Sequence, residues 1–195
     1  MVDTKMAKLV GEHWVCSELA RRGWAPALTR DGLARTDILA VSMILPRRPR
    51  IEVQVKAATK TSPRQVSWPL GKTVGLQDVS GAEWFVLVVI PEVGDSPYAY
   101  VVPRDHVSAG TYLEHQEWLT DPAAAPGQRN AQMPQSRTHE ETFARYRDRW
   151  DLLDHPTTEA GVMIADRLVA LIPRLGLPAG HPWRDGLPAP ESDCS

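Results

Sequence analysis

The sequence predicts an α/β (α+β) fold, a mixed central sheet flanked by helices, from three observations. An apolar pattern of helical period runs over residues 6–22 and stops at Gly23. Five strand-like segments follow at 24–29, 36–45, 51–57, 84–90 and 98–102, separated by turn-forming residues. Beyond Pro103 the pattern turns helical again, so the order is helix, strands, then helices around one sheet.

Each element has its own signal. Asp3 or Thr4 is suited to cap the first helix. Arg30-Asp31-Gly32 reads as the turn between the first two strands, and the basic segment Pro46-Arg47-Arg48-Pro49-Arg50 leads into the third. In Ile51-Glu52-Val53-Gln54-Val55-Lys56 the alternation is strict, which sends Glu52, Gln54 and Lys56 to one face. Residues 58–80, rich in Ser, Thr, Gly and Pro, read mainly as loop. Trp84 to Ile90 is apolar on both faces, the mark of a strand buried on both sides. Gly94-Asp95-Ser96-Pro97 is a turn before the strand at 98–102. A weakly helical stretch at 104–119, a Pro/Ala/Gln-rich loop at 121–137 and helices near 138–153 and 158–175 complete the reading. The expected organisation is a core over 1–105, a helical extension packed on it over 106–177, and an irregular or disordered tail over 178–195.

The chain has 195 residues, 43% hydrophobic and 24% charged, the composition of a globular domain. No apolar run approaches the roughly 20 residues of a membrane span, and the opening MVDTKMAK lacks the apolar stretch of a signal peptide. Cys16 and Cys194 give no reason to expect an oxidising compartment. A soluble, cytoplasmic protein is the expectation. The net charge of −2 conceals an asymmetry: residues 1–80 carry 13 Lys+Arg against 7 Asp+Glu, and residues 81–195 carry 9 against 17. A basic half suits a polyanion-facing surface, although charges on two solvated faces would look the same.

Three polar residues stand where apolar ones belong. Glu12 falls in the helical stripe formed by Leu9, Cys16, Leu19 and Ala20, where a carboxylate needs a positive or hydrogen-bonding partner. It either pairs with a core Arg or sits at the edge of the stripe. Asp37 opens the apolar strand Ile38-Leu39-Ala40-Val41, a place where Asp also serves simply as a turn cap. The polar face of 52, 54 and 56 is, taken alone, an ordinary solvated strand face.

In this order, a helix with Gly11-Glu12, a strand opening with Asp37 and a strand carrying Gln54-Val55-Lys56, the three elements resemble the PD-(D/E)XK nuclease superfamily. The similarity is to its small stand-alone endonuclease-like members, and the motif order is that of archaeal Holliday-junction resolvases. Leu19-Ala20-Arg21-Arg22-Gly23-Trp24 resembles their helix exit and Tyr100-Val101-Val102-Pro103 a later strand, so residues 8 to 105 are covered. The chain departs from the pattern at Thr36, where Pro is frequent, and at Gln54, where the family carries a carboxylate.

The resemblance implies a restriction-endonuclease-like core and a metal-dependent endonuclease that hydrolyses phosphodiester bonds in DNA. Glu12, Asp37, Gln54 and Lys56 are then the catalytic set. Asp37, Gln54, Glu12 and the Val55 carbonyl would hold Mg²⁺ or Mn²⁺, hard cations that prefer oxygen ligands. Lys56 would orient water and stabilise charge on the phosphate. Arg47, Arg48, Arg50, Lys60, Arg64 and Lys72 flank the motif strand and suit phosphate contacts. Trp68 either stacks on a base or anchors its loop in the core.

Other signals exclude chemistry. The six histidines show no HxxxH or HExxH spacing, and no phosphate-binding glycine motif occurs. Glu140-Glu141 with Arg145, Arg147 and Arg149 reads as i,i+4 surface pairing, and Trp118 and Trp150 as core anchors. Two functions remain open: the nuclease, with RNA as a further substrate, or a catalytically inactive module for nucleic-acid binding or protein interaction. The acidic half suits a homodimer contact or docking to another DNA-processing component.

Overall fold

The computed structural model describes residues 4–29, 35–60, 65–125 and 127–188. It is an α+β fold around a mixed five-stranded sheet in the order β1-β2-β3-β5-β6. Helix α1 (Thr4–Arg21) leads into β1 (Trp24–Leu28), and Gly23, at φ 80°, makes the reversal between them. β2 (Ile38–Ser42) pairs antiparallel with β1 and with β3 (Arg50–Thr59). β3 pairs parallel with β5 (Glu83–Ile90), which pairs antiparallel with β6 (Tyr98–Pro103). Parallel pairing needs a crossover, and residues 60–82 provide it. They are not mere loop: β4 (Ser67–Trp68) lies there and pairs with β7 (Thr138–His139).

Every residue of β5 is buried, as the apolar run Trp84–Ile90 requires, and the carboxylate that opens it, Glu83, is buried too. Helix α1 covers the face of β3 that carries Val55 and Ala57. Its buried stripe is Ala7, Gly11, Val15, Glu18 and Leu19. That corrects the expected stripe by about one residue: Leu9 is 46% exposed and Ala20 is exposed, while Glu12 sits at the stripe's edge. The reason is close packing at Gly11, where a Cβ would lie 2.7 Å from the Ala57 Cβ. Helix α2 (Arg104–Leu119) follows β6 without a loop and packs against β5 and β6.

The long helices expected at 138–153 and 158–175 do not form. The chain instead makes 3-10 turns at Glu140–Tyr146, Trp150–Asp154 and Thr157–Glu159, then the single-turn helices α3 (Asp166–Val169) and α4 (Ile172–Leu175). Phe143 breaks helical geometry, Asp148 takes a positive φ of 55°, and Arg147 bridges to Tyr100 at the edge of β6. Tertiary pairing outweighs helix propensity here. The acidic and basic residues of this segment also pair across the fold: Glu140 accepts from the Tyr98 and Tyr100 hydroxyls, and Arg145 donates to Asp166. Trp150 is buried against Trp14, but Trp118 is 38% exposed and stacks on His115 at the end of α2. The tail is also ordered further than expected, since His181 and Trp183 are buried beside His106. Residues 189–195, with Cys194, lie outside the described residues, as do Asp3 and the 30–32 turn. No helix among the described residues is long and apolar enough to cross a membrane.

Candidate active site

β2 begins at Ile38, which pairs with Val53, so β3 runs on past the end of its neighbour. Into that gap point the groups the sequence singles out. The Asp37 main-chain N–H donates to the Val53 carbonyl at 2.9 Å. Asp37 Oδ2 then accepts from the Val55 N–H at 2.8 Å, extending the ladder by one rung with a side chain. In an antiparallel pair a residue's N–H and C=O point to the same side, so the Val55 carbonyl faces the gap as well.

Helix α1 closes the gap from the other side. Glu12 is 15% exposed, and its carboxylate lies 3.4 Å from Lys8 Nζ; the same ammonium is 3.8 Å from Asp37 Oδ1. Lys56 is half-buried, and burial pushes its ammonium below the ordinary lysine range. Asp37 and Glu12 oppose that shift, while Lys8 and Arg104 reinforce it. Four titratable side chains from α1, the start of β2, and β3 thus share one small electrostatic neighbourhood.

Gln54 meets a different partner. Its Oε1 accepts from Arg104 Nη2 at 3.4 Å. Arginine has only donors, so the carboxamide oxygen must be the atom turned to it. The oxygen expected to hold a metal is therefore engaged by a guanidinium. Arg104 is 2% exposed and lies over the Phe85 ring, 4.9 Å from its centroid. Its charge is balanced by Glu83, whose Oε2 is 2.6 Å from Arg104 Nε and 2.9 Å from Arg35 Nη2. Arg104 Nη1 makes no hydrogen bond among the described residues. Glu52 faces the same side and accepts from the Thr36 hydroxyl at 3.0 Å.

Oxygen donors available to a hard cation are thus Asp37 Oδ1, Glu12 and the Val55 carbonyl. The residues present fit such an ion, because an ammonium already lies against both carboxylates and every donor is oxygen. Only two of the donors are carboxylates, and no group of three or more His, Cys, Asp or Glu side chains converges among the described residues. Cys16, whose thiol is pushed up by burial and then by Glu12, offers no thiolate nearby.

The basic residues separate. Arg47, Arg48 and Arg50 are exposed around the β2–β3 turn, at one end of β3, and Lys60 is exposed at the other end. Lys72 is exposed on a 3-10 turn, Gly71–Thr73, packed against the turn at Met133–Gln135. Arg64 lies outside the described residues. Trp68 is fully buried, its Nε1 donating to the Val88 carbonyl at 3.2 Å and its ring edge-on to Tyr100. Its faces cannot stack on a base, which corrects that expectation in favour of core anchoring.

Sequence reasoning missed Lys8, Glu83 and Arg104. Lys8 stands four residues before Glu12, on the same helical face. Glu83 opens β5 and Arg104 opens α2, positions where charged residues are ordinary, so nothing local signals that the two are buried together. Compared with protein-family models, with curated proteins and with solved structures, the chain matches none.

Proposed function

We propose that the chain is a divalent-metal-dependent endonuclease acting on DNA, with a restriction-endonuclease-like core. The observation that carries this reading is the bond from the Val55 N–H to Asp37 Oδ2, which fixes a carboxylate beside the main chain of the Gln54-Val55-Lys56 segment. Mg²⁺ or Mn²⁺, held by Asp37 Oδ1, Glu12 and the Val55 carbonyl, would neutralise charge on the phosphate and acidify a bound water. Lys56 donates to a phosphate oxygen, and its lowered pKa suits it to exchanging a proton with the attacking water. Arg104 holds the Gln54 carboxamide oxygen, so the Gln54 amide N–H groups are the ones left to meet substrate.

That last contact also supports a second reading, a non-catalytic nucleic-acid-binding or interaction module in which Gln54 has ceased to bind metal. Purified protein with Mg²⁺ or Mn²⁺ and a panel of duplex, single-stranded, branched and supercoiled DNA, plus RNA, separates the two. Cleavage lost in EDTA, in Lys56→Ala and in Asp37→Ala supports the nuclease. Absence of cleavage, with no metal bound at millimolar concentration by calorimetry, supports the module.

A further inference from the structure

The turn joining β2 to β3 is pinned in an unusual shape. Ser42 Oγ accepts from the N–H groups of Ile44 and Leu45, at 3.4 and 3.0 Å. The Ser42 N–H donates to the Pro49 carbonyl at 2.9 Å, and the Met43 N–H to the Gly23 carbonyl at 2.8 Å. Arg47 and Arg48 occupy the left-handed region, at φ 64° and 47°, where residues with a Cβ are rare. Prolines at 46 and 49 stiffen the segment.

What this scaffold presents is two large apolar side chains ringed by positive charge. Met43 is 57% exposed and Ile44 68%. Ile44 is braced from behind by Gly23, whose missing side chain leaves it room. Arg48 reaches across to the Met43 sulfur at 3.3 Å. Arg47, Arg48 and Arg50 have no carboxylate partner among the described residues, and all three line a groove of about 790 Å³. Leu39, Val41 and Glu52 line the same groove. Register places Leu39 beside Glu52, on the face of the sheet that carries Gln54 and Lys56. The three arginines beside the tip thus border the sheet face that carries Gln54 and Lys56.

We propose that this hairpin tip is a DNA-bending wedge: the three arginines take backbone phosphates while Met43 and Ile44 enter a base step. Apolar wedges flanked by cations kink duplexes by partial unstacking. The inference rests on the DNA reading above and names how the duplex lies. Asp37 and Met43 flank β2 six positions apart, roughly 20 Å at a strand's rise. That is roughly six base-pair steps of B-DNA, at about 3.4 Å each. A lipid surface also attracts apolar tips with basic flanks, but it would gain nothing from arginines that border that face.

The test uses full-length protein in EDTA with a duplex carrying 2-aminopurine at successive positions, with the cut site mapped separately in Mn²⁺. Expected is a fluorescence rise about six steps from the cut, and a bend seen by energy transfer between end labels. In the doubly substituted Met43→Ser, Ile44→Ser protein both signals vanish and binding weakens about tenfold, with the salt dependence unchanged. Arg47→Ala with Arg48→Ala instead lowers the salt slope by about 2. The serine variant bending and binding DNA as the wild type does overturns the wedge and leaves the nuclease standing. Unstacking by a protein that never cleaves upholds the wedge and overturns the nuclease. Failure to bind DNA overturns the wedge, and binding of anionic vesicles that the serine variant loses would assign the tip to lipid. Both substituted side chains are exposed, so a thermal melt equal to wild type is the expected folding control.

Discussion

The Asp37 carboxylate is hydrogen-bonded to the main-chain N–H of Val55 at 2.8 Å, a side chain standing in for the next rung of the β2–β3 ladder. One carboxylate oxygen is thereby committed to structure and the other left for chemistry. Asp37→Asn separates these roles. The amide oxygen can still accept from Val55, which turns its NH₂ toward Lys8 and any metal. The melting temperature should hold while metal-dependent cleavage falls by about a hundredfold or more. A substantial loss of stability would instead make Asp37 a purely structural cap.

Lys8 sits against Glu12 and Asp37 where a divalent ion would compete with it. Its side chain is 56% exposed, so the pairings are weak, on the order of 0.2–1 kcal/mol. Lys8→Ala should therefore tighten Mn²⁺ binding up to about fivefold in calorimetry at low ionic strength. Weaker binding would mean that Lys8 orders the carboxylates rather than blocking them.

Gly11 sets the distance between α1 and β3. Gly11→Ala forces its methyl against Ala57 and should destabilise the fold by about 1–3 kcal/mol. It should also reduce cleavage by displacing Glu12. Ala57→Gly in the same chain should recover much of both losses, which denaturant titration and the cleavage assay would read. An uncoupled pair of effects would show that the helix does not rest on this contact.

Glu83 is the counter-charge of a buried arginine, with side chains only 4% and 2% exposed. Glu83→Gln leaves Arg104 without it and should cost about 3–5 kcal/mol. Adding Arg104→Met removes the orphaned charge, so the double variant should be more stable than Glu83→Gln alone. Chemical denaturation of the three proteins checks the order.

His106 is fully enclosed, its Nδ1 2.6 Å from the Tyr146 hydroxyl and its ring 4.7 Å from that of Trp183. Burial, aided by His181, pushes its pKa down to about 3. The unfolded chain, with an ordinary histidine, binds the proton first, so the contribution of His106 is complete above about pH 6.5. It is lost as pH falls toward 3, by at most about 1.4 kcal/mol per unit. His106→Leu should flatten that slope between pH 6.5 and 4.5 relative to wild type in thermal melts. Equal slopes would place the acid sensitivity elsewhere.

The sheet was legible because its strands obey simple periods. The alternation at 51–56 put Gln54 and Lys56 on one face, and the apolar run at 84–90 placed a strand in the centre. Glu12 and Asp37 stood out because each interrupts an apolar pattern, although the stripe read around Glu12 lies about one residue off the buried one. What stayed hidden depended on partners far away in sequence. Gln54 looked like a ligand because nothing local shows that Arg104, fifty residues on, takes its oxygen. Trp68 left stacking and core anchoring both open, because the Val88 carbonyl and Tyr100 that enclose it lie 20 and 32 positions on. The segment 138–175 has helical composition, but its edge pairing and positive-φ turn are set by β6, which composition does not record.

The continuous passage from β6 into α2 governs when the site can mature. Glu12, Asp37 and Lys56 all belong to the first 60 residues, yet β3 is held on its other side by a parallel partner that ends at Ile90. Gln54 is not oriented until Arg104 arrives at the end of the next strand. During synthesis, at about 5–20 residues per second, the acidic pair and the lysine leave the ribosome several seconds before their supports. A nascent chain short of Arg104 would carry every residue of the motif and still lack the arrangement.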